Sequence, residues 1–169
     1  MLLCLLHAAL SVGALPERSM RILHVGSGNS KLPEDLWAKG YRNQRANDIS
    51  PTAIARMAER TRECDGLVWA VEDALAMPQH ADGSFDAVVD KGTFDALSCD
   101  MLDRKLVTEV RRVLRPGGVY VCISSLESTR LAFEPPRCKA DDWVLSSSFA
   151  SGGALRQRNC WLHCAVKPR

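Results

Sequence analysis

The stretch Arg21-Ile22-Leu23-His24-Val25-Gly26-Ser27-Gly28-Asn29-Ser30 decides how the rest of the chain reads. An apolar run with β-branched residues breaks off in a Gly-x-Gly turn, and a helical pattern opens at about Leu32, which predicts strand, tight turn and helix. Glycine at 26 and 28 removes the Cβ atoms, so the backbone can bend sharply and approach a ligand, while the helix start offers unpaired N–H groups. A ligand is therefore expected here. Gly-x-Gly alone also describes an ordinary turn, and Lys31 stands where the dinucleotide fingerprint has its third glycine. The segments downstream decide between the two.

With 169 residues the chain is long enough for one domain with a sizeable core. Its 46% hydrophobic and 25% charged residues are the balance of a globular protein rather than a disordered or fibrous one. A net charge of +2 exerts no strong pull on nucleic acid or anionic membrane, so neither is an expected partner. The 7 cysteines form no C-x-x-C pair, and no metal site or disulfide framework is expected. Cys160 and Cys164, four apart, read as packing residues sharing a strand face. Reduced thiols favour a cytoplasmic location. Residues 1–20 are set apart from a domain over 21–169 because Met1 to Ala14 is almost wholly apolar. That segment reads either as signal-like or as a helix buried on the domain, and it is too short to span a bilayer.

Along the chain, a short helix over Leu32 to Lys39 stops at Gly40, and a second strand ends at Asp48, about twenty residues after Gly28. At that spacing a carboxylate accepts hydrogen bonds from ribose hydroxyls in doubly wound nucleotide-binding folds. A surface Asp before a helix is the alternative, since Ser50-Pro51 starts the helix Pro51 to Cys64 without it. The third strand, Leu67 to Val71, runs into Glu72-Asp73-Ala74, where Asp73 could meet an adenine amino group or merely cap a turn. Ser84 to Asp90 reads as a central parallel strand ending in Asp90-Lys91-Gly92. A helix over Met101 to Leu114 ends at Arg115-Pro116-Gly117-Gly118, and Val119 to Ser124 is the fifth strand. Strands alternating with helices make a doubly wound, mostly parallel α/β domain.

The blocks ILHVGSGNS (Ile22 to Ser30), ANDISP (Ala46 to Pro51), EDALAMP (Glu72 to Pro78), SFDAVVDKGTFDAL (Ser84 to Leu97) and VLRPGG (Val113 to Gly118) resemble class I S-adenosylmethionine-dependent methyltransferases. The DKGT block is most similar to the branch of protein-lysine methyltransferases acting on translation elongation factor 1A and, more distantly, citrate synthase. The resemblance implies a seven-stranded Rossmann-like sheet with an antiparallel last strand, the final strands falling at Trp143 to Phe149 and Cys160 to Lys167. It implies S-adenosyl-L-methionine as cofactor. Gly26, Ser27 and Gly28 would face its methionine part, Asp48 its ribose, and Asp73 with Ala74 its adenine, with Asn29, Ile49 and Asp90 as further cofactor-binding residues. Asp90 and Lys91 would lie where methyl meets acceptor, with Asp90 orienting a substrate lysine. Asp95 could be a second crevice carboxylate or a helix-start cap.

Two departures from the family stand out. A Trp- and Tyr-rich lid is expected before the first strand, where this sequence has the apolar Met1 to Ala14. The stretch Leu126 to Asp142, interrupted by Pro135-Pro136, is short for a crossover helix. The expected activity is methyl transfer to a protein lysine, possible alternatives being small-molecule or RNA methylation, or a weakly catalytic binding module. A nicotinamide-dependent oxidoreductase is disfavoured by Lys31 and by the lack of a Tyr-x-x-x-Lys pair.

Overall fold

The computed structural model describes residues 15, 17–125, 129, 132–133, 143–150 and 160–169. The apolar segment Met1 to Ala14 and most of Leu126 to Asp142 lie outside the described residues. In chain order the elements are β1 (Ile22–Val25), α1 (Leu32–Ala38), β2 (Gln44–Asp48), α2 (Pro51–Arg60), β3 (Leu67–Val71) and β4 (Phe85–Lys91). They continue with α3 (Thr93–Ser98), α4 (Asp103–Val113), β5 (Leu114–Ser124), β6 (Val144–Ala150) and β7 (Cys160–Val166).

The strands form one seven-stranded sheet in the order β3-β2-β1-β4-β5-β7-β6. The first five are parallel, and β7 runs antiparallel to both neighbours, β5 and β6. Side chains alternate across a strand, so neighbours in sequence feed different cores. Leu23 and Val25 of β1, Val88 of β4, and Tyr120 and Cys122 of β5 pack with Leu106, Val110 and Val113 of α4. Ile22, Ala87, Val89, Val121 and Ile123 face the other way and pack with Leu32 and Leu36 of α1. This two-sided burial is why β4 reads as a continuous apolar run. Each fully buried Leu or Val contributes roughly 1.5–3 kcal/mol.

The strand order reverses between β1 and β4. At such a switch point, the connections leave the carboxyl ends of the two strands toward opposite faces and open a crevice. β1 ends at the Gly26 turn, so topology and the glycine turn point to one place.

The helix α2 starts as its sequence dictates, with the Ser50 hydroxyl accepting from the Ala53 amide at 3.2 Å and Pro51 at the first helical position. It ends at Arg60 rather than Cys64: past Thr61 the Arg62 and Cys64 amides bond three residues back, to the Glu59 and Thr61 carbonyls, and the Thr61 hydroxyl donates to the Met57 carbonyl (2.8 Å) and accepts from the Trp69 indole (2.7 Å). The predicted helix from Met101 begins at Asp103 instead, and the short α3 precedes it. Met101, at φ 57, makes the break between them. The fifth strand begins at Leu114, earlier than predicted. Leu114 pairs with Phe85 and Val119 with Ala87, so Arg115 to Gly118 bulge opposite Asp86, whose carboxylate accepts from Arg115 Nε at 2.6 Å.

Candidate functional site

The turn after β1 is shaped by two left-handed glycines, Gly26 at φ +56 and Gly28 at φ +50. A Cβ on Gly26 would stand 2.2 Å from Thr93 Oγ1, so the position demands glycine twice over. That proximity has a purpose. The Thr93 hydroxyl donates to the Val25 carbonyl at 2.9 Å, tying the start of α3 to the turn. On the other flank, Asn47 of β2 is fully buried. Its side-chain oxygen accepts from the Gly26 amide (3.2 Å), and its backbone carbonyl accepts from the Ser27 amide (2.8 Å). α1 opens directly behind, with Lys31 in the cap position.

Asp48 closes β2 with its carboxylate held in place. Oδ2 accepts from the Gly28 amide at 2.8 Å and Oδ1 from the Ser50 amide at 2.9 Å. Each carboxylate oxygen keeps a further lone pair for a ligand hydroxyl. Asp73, past the end of β3, uses Oδ1 to accept from the Leu75 amide at 2.8 Å. The turn-capping alternative is thus realised, yet Asp73 also lines the cleft, and among the described residues no donor occupies its Oδ2. The preceding Glu72 sits in a buried cluster: Oε2 lies 3.0 Å from His80 Nε2 and 3.3 Å from Asn47 Nδ2, while Oε1 accepts from Arg45 Nε at 3.1 Å. Burial pushes its pKa up, but the bonds from Arg45 and His80 outweigh this and hold Glu72 below the usual glutamate value.

These elements enclose a cleft of about 550 Å³. Gly26, Asp48, Ile49, Asp73, Ala74 and Lys91 all line it. The glycine turn and the two rim carboxylates, far apart in sequence, converge on one hollow. Ser27 opens instead onto a small neighbouring hollow shared with His24 and Lys91. Gly28 contributes through its bond to Asp48, and Asn29 is exposed outside the cleft lining.

Asp90 requires a correction. It is expected at the transfer point, but its side chain is fully buried and does not line the cleft. Its Oδ1 accepts from the Thr93 amide (2.8 Å), and its Oδ2 from the Phe94 amide (3.0 Å) and the Tyr120 hydroxyl (2.8 Å). Burial raises its pKa to about 7 against these three bonds. Asp90 is a buried anchor of α3, and α3 supplies Thr93, Ala96 and Leu97 to the cleft wall. Asp95, left open between two roles, ties α3 to the end of β5 by accepting from the Ser125 amide (2.8 Å) and hydroxyl (2.7 Å) and from the Ser124 hydroxyl.

Sequence reasoning did not single out Glu72, Thr93 or the apolar wall of Leu75, Ala96, Leu97 and Leu102. Thr93 follows Gly92 within the DKGT block, so its position was visible though its partner was not. A family model described as a methyltransferase domain matches residues 23–122. The chain belongs to the methyltransferase domain family. Its matched span runs from β1 into β5 and so contains every cleft-lining element of the described structure.

Curated relatives of this methyltransferase domain include the eEF1A lysine and N-terminal methyltransferase of Bos taurus, 32% identical over 74% of this chain and 19% of that protein. The Danio rerio protein of the same name is 40% identical over 62% of this chain and 16% of its own length. EEF1A lysine methyltransferase 4 of Mus musculus is 34% identical over 62% of this chain and 46% of that protein. The chain thus spans less than half of the length of each of these relatives. Among solved structures, the N-methyltransferase NodS from Bradyrhizobium japonicum WM9 superposes with TM-score 0.71 at 21% identity, covering 98% of this chain and 93% of that one. This likeness is one of fold.

The cleft residues fit S-adenosylmethionine. Gly26 leaves the turn without a side chain, Asp48 is aimed by two amides, and the wall of Ala74, Leu75 and Leu97 offers an apolar seat for a flat ring.

Proposed function

We propose that this domain binds S-adenosylmethionine in the cleft and transfers its methyl group to a lysine side chain of a protein, with translation elongation factor 1A as the acceptor to test first. The observation that carries this reading is the convergence of Gly26, Asp48, Asp73 and Lys91 on one hollow at the switch point of the sheet. The acceptor class rests on what the curated relatives are named for.

In this reading Asp48 accepts from the ribose hydroxyls, and Asp73 accepts from the adenine amino group through Oδ2. The cofactor supplies a sulfonium-activated methyl group. The protein's share is positioning, with Leu75, Leu97 and Leu102 giving the cleft an apolar wall. An acceptor lysine reacts only as the neutral amine. Lys91, exposed at the cleft lip, places a like charge beside the incoming ammonium and so favours its deprotonated form. Asp90 works through α3 as a positioning residue and does not meet the amine.

Two measurements test this. Isothermal calorimetry should show heat with S-adenosylmethionine and none with NAD, and the reverse result overturns the choice of cofactor. Incubation with labelled cofactor and purified elongation factor 1A, followed by mass spectrometry, should find added methyl mass on a lysine. We also propose a cytoplasmic location, supported by the free thiols of Cys64, Cys99, Cys122 and Cys164, and testable by cell fractionation.

A further inference from the structure

A second hollow, of about 580 Å³, opens at the opposite ends of the strands from the cofactor cleft. It is built from the segments that lead into β1 and β2 and from the end of α1, and its lining includes Leu15, Arg18, Ala38, Lys39, Tyr41 and Arg42. Three of these are cations, and among the described lining residues none is an acid. Arginines on α2 and after it are paired, Arg60 with Glu34 and Arg62 with Glu59. Among the described residues, Arg18, Lys39 and Arg42 have no such ion pair.

Two of the cations are held in place. The Arg18 stem lies across Gly40, where a Cβ would come within 3.0 Å of Arg18 Cδ. The Arg42 guanidinium stacks 3.5 Å over the Trp37 ring. The end of α1 does not neutralise them. Its Leu36 and Trp37 carbonyls are already taken by the Lys39 and Gly40 amides at 3.0 and 2.9 Å.

We propose that this hollow is a docking site for an acidic segment, rich in Asp or Glu, of a protein partner. Three like charges around one concavity raise the local concentration of anions and are relieved by carboxylates. The apolar walls at Leu15 and Ala38 suit the stems of acidic side chains. A nucleic acid is a poorer fit, because the Trp37 face that could stack a base is covered by Arg42 and the chain as a whole carries only +2. Residues 1–14 contain no Asp or Glu and so offer these cations no carboxylate. The inference stands independently of the methyl-transfer reading.

The test is fluorescence anisotropy of a labelled octaglutamate peptide with the full chain. Binding is expected that weakens as salt rises and falls about tenfold in the Arg18→Glu, Arg42→Glu double variant, with S-adenosylmethionine affinity and melting temperature unchanged. Should the double variant melt early, Arg18→Gln, which keeps the stem over Gly40, gives the same comparison with a smaller loss. Three outcomes overturn the proposal: no peptide binding, equal binding by parent and variants, or tighter capture of an octauridylate through the same residues. Displacement of the peptide by millimolar inorganic phosphate would make the hollow a free-phosphate site and overturns it as well.

Discussion

At the scale of single residues, Asp48 and Asp90 show how one residue type takes opposite parts. Asp48 is half-buried at the cleft with two amides aiming it, so its carboxylate keeps lone pairs free for a ligand hydroxyl. Asp48→Asn should weaken S-adenosylmethionine binding by roughly 10- to 100-fold, the equivalent of one charge-assisted hydrogen bond, as read by calorimetry. Asp90 spends its oxygens on Thr93, Phe94 and Tyr120. Its folded pKa of about 7 lies above the usual aspartate value, so the folded state binds more protons than the unfolded one in between. Stability from this group is therefore full below about pH 4 and declines as pH rises to about 7. His24 acts in the other direction. Burial lowers its pKa to about 4 against a hydrogen bond with Gln44, and stability is lost as pH falls through the range from about 6.5 to 4. Urea titrations of the parent and Asp90→Asn separate the two, because the parent's advantage should shrink from pH 5 to pH 8. An advantage constant with pH would contradict the burial argument.

At the scale of elements, the loop between β3 and β4 carries Glu72, Asp73, Ala74 and Leu75 into the cleft, and α4 clamps it. Arg112 donates to the Met77 carbonyl (2.9 Å) and the His80 carbonyl (2.8 Å), while Glu109 accepts from the Met77 amide at 2.7 Å. Arg112 also pairs with Glu109 at 2.7 Å. Arg112→Met should remove the side-chain donor from the His80 carbonyl, leave the Met77 carbonyl only its bond from the His80 amide (3.0 Å), and cost about 1–3 kcal/mol. Hydrogen exchange should speed up at the Met77 and His80 amides, and cofactor affinity should fall although Arg112 touches no ligand. Helix α4 was legible because Leu106, Val110 and Val113 recur at helical spacing. α3 was not, because six residues are too few to show a period and Gly92 before them reads as a breaker. Its first turn is capped by the Asp90 carboxylate three and four residues back, and that carboxylate is in turn held by the distant Tyr120 hydroxyl, which only the packed structure supplies.

At the scale of the whole molecule, the cleft joins residues from β1, β2, the β3–β4 loop, the end of β4 and α3. A ligand that bridges all of them binds only the folded state. Saturating S-adenosylmethionine, at about 100 times its Kd, should add about 2.7 kcal/mol and raise Tm by roughly 5–10 °C for a chain of this size. NAD should leave Tm unmoved in the same thermal melt. The alternation of strands and helices, the two-sided burial of β4 and the Gly26 to Gly28 turn were all written locally, in periodicity and in residues with special backbone freedom. These sufficed for the doubly wound fold and for placing Gly26, Asp48 and Asp73 around one cleft, because a strand's carboxyl end can be read from where its apolar run stops. Which way a side chain turns at that end is decided by burial and by competing donors, and part of both comes from segments distant in sequence, as Tyr120 does for Asp90 and Val25 for Thr93. Hence only the tertiary structure could show Asp90 withdrawn beneath α3, Thr93 locked against the glycine turn, and Arg18, Lys39 and Arg42, with no ion pair among the described residues, gathered at the other end of the sheet.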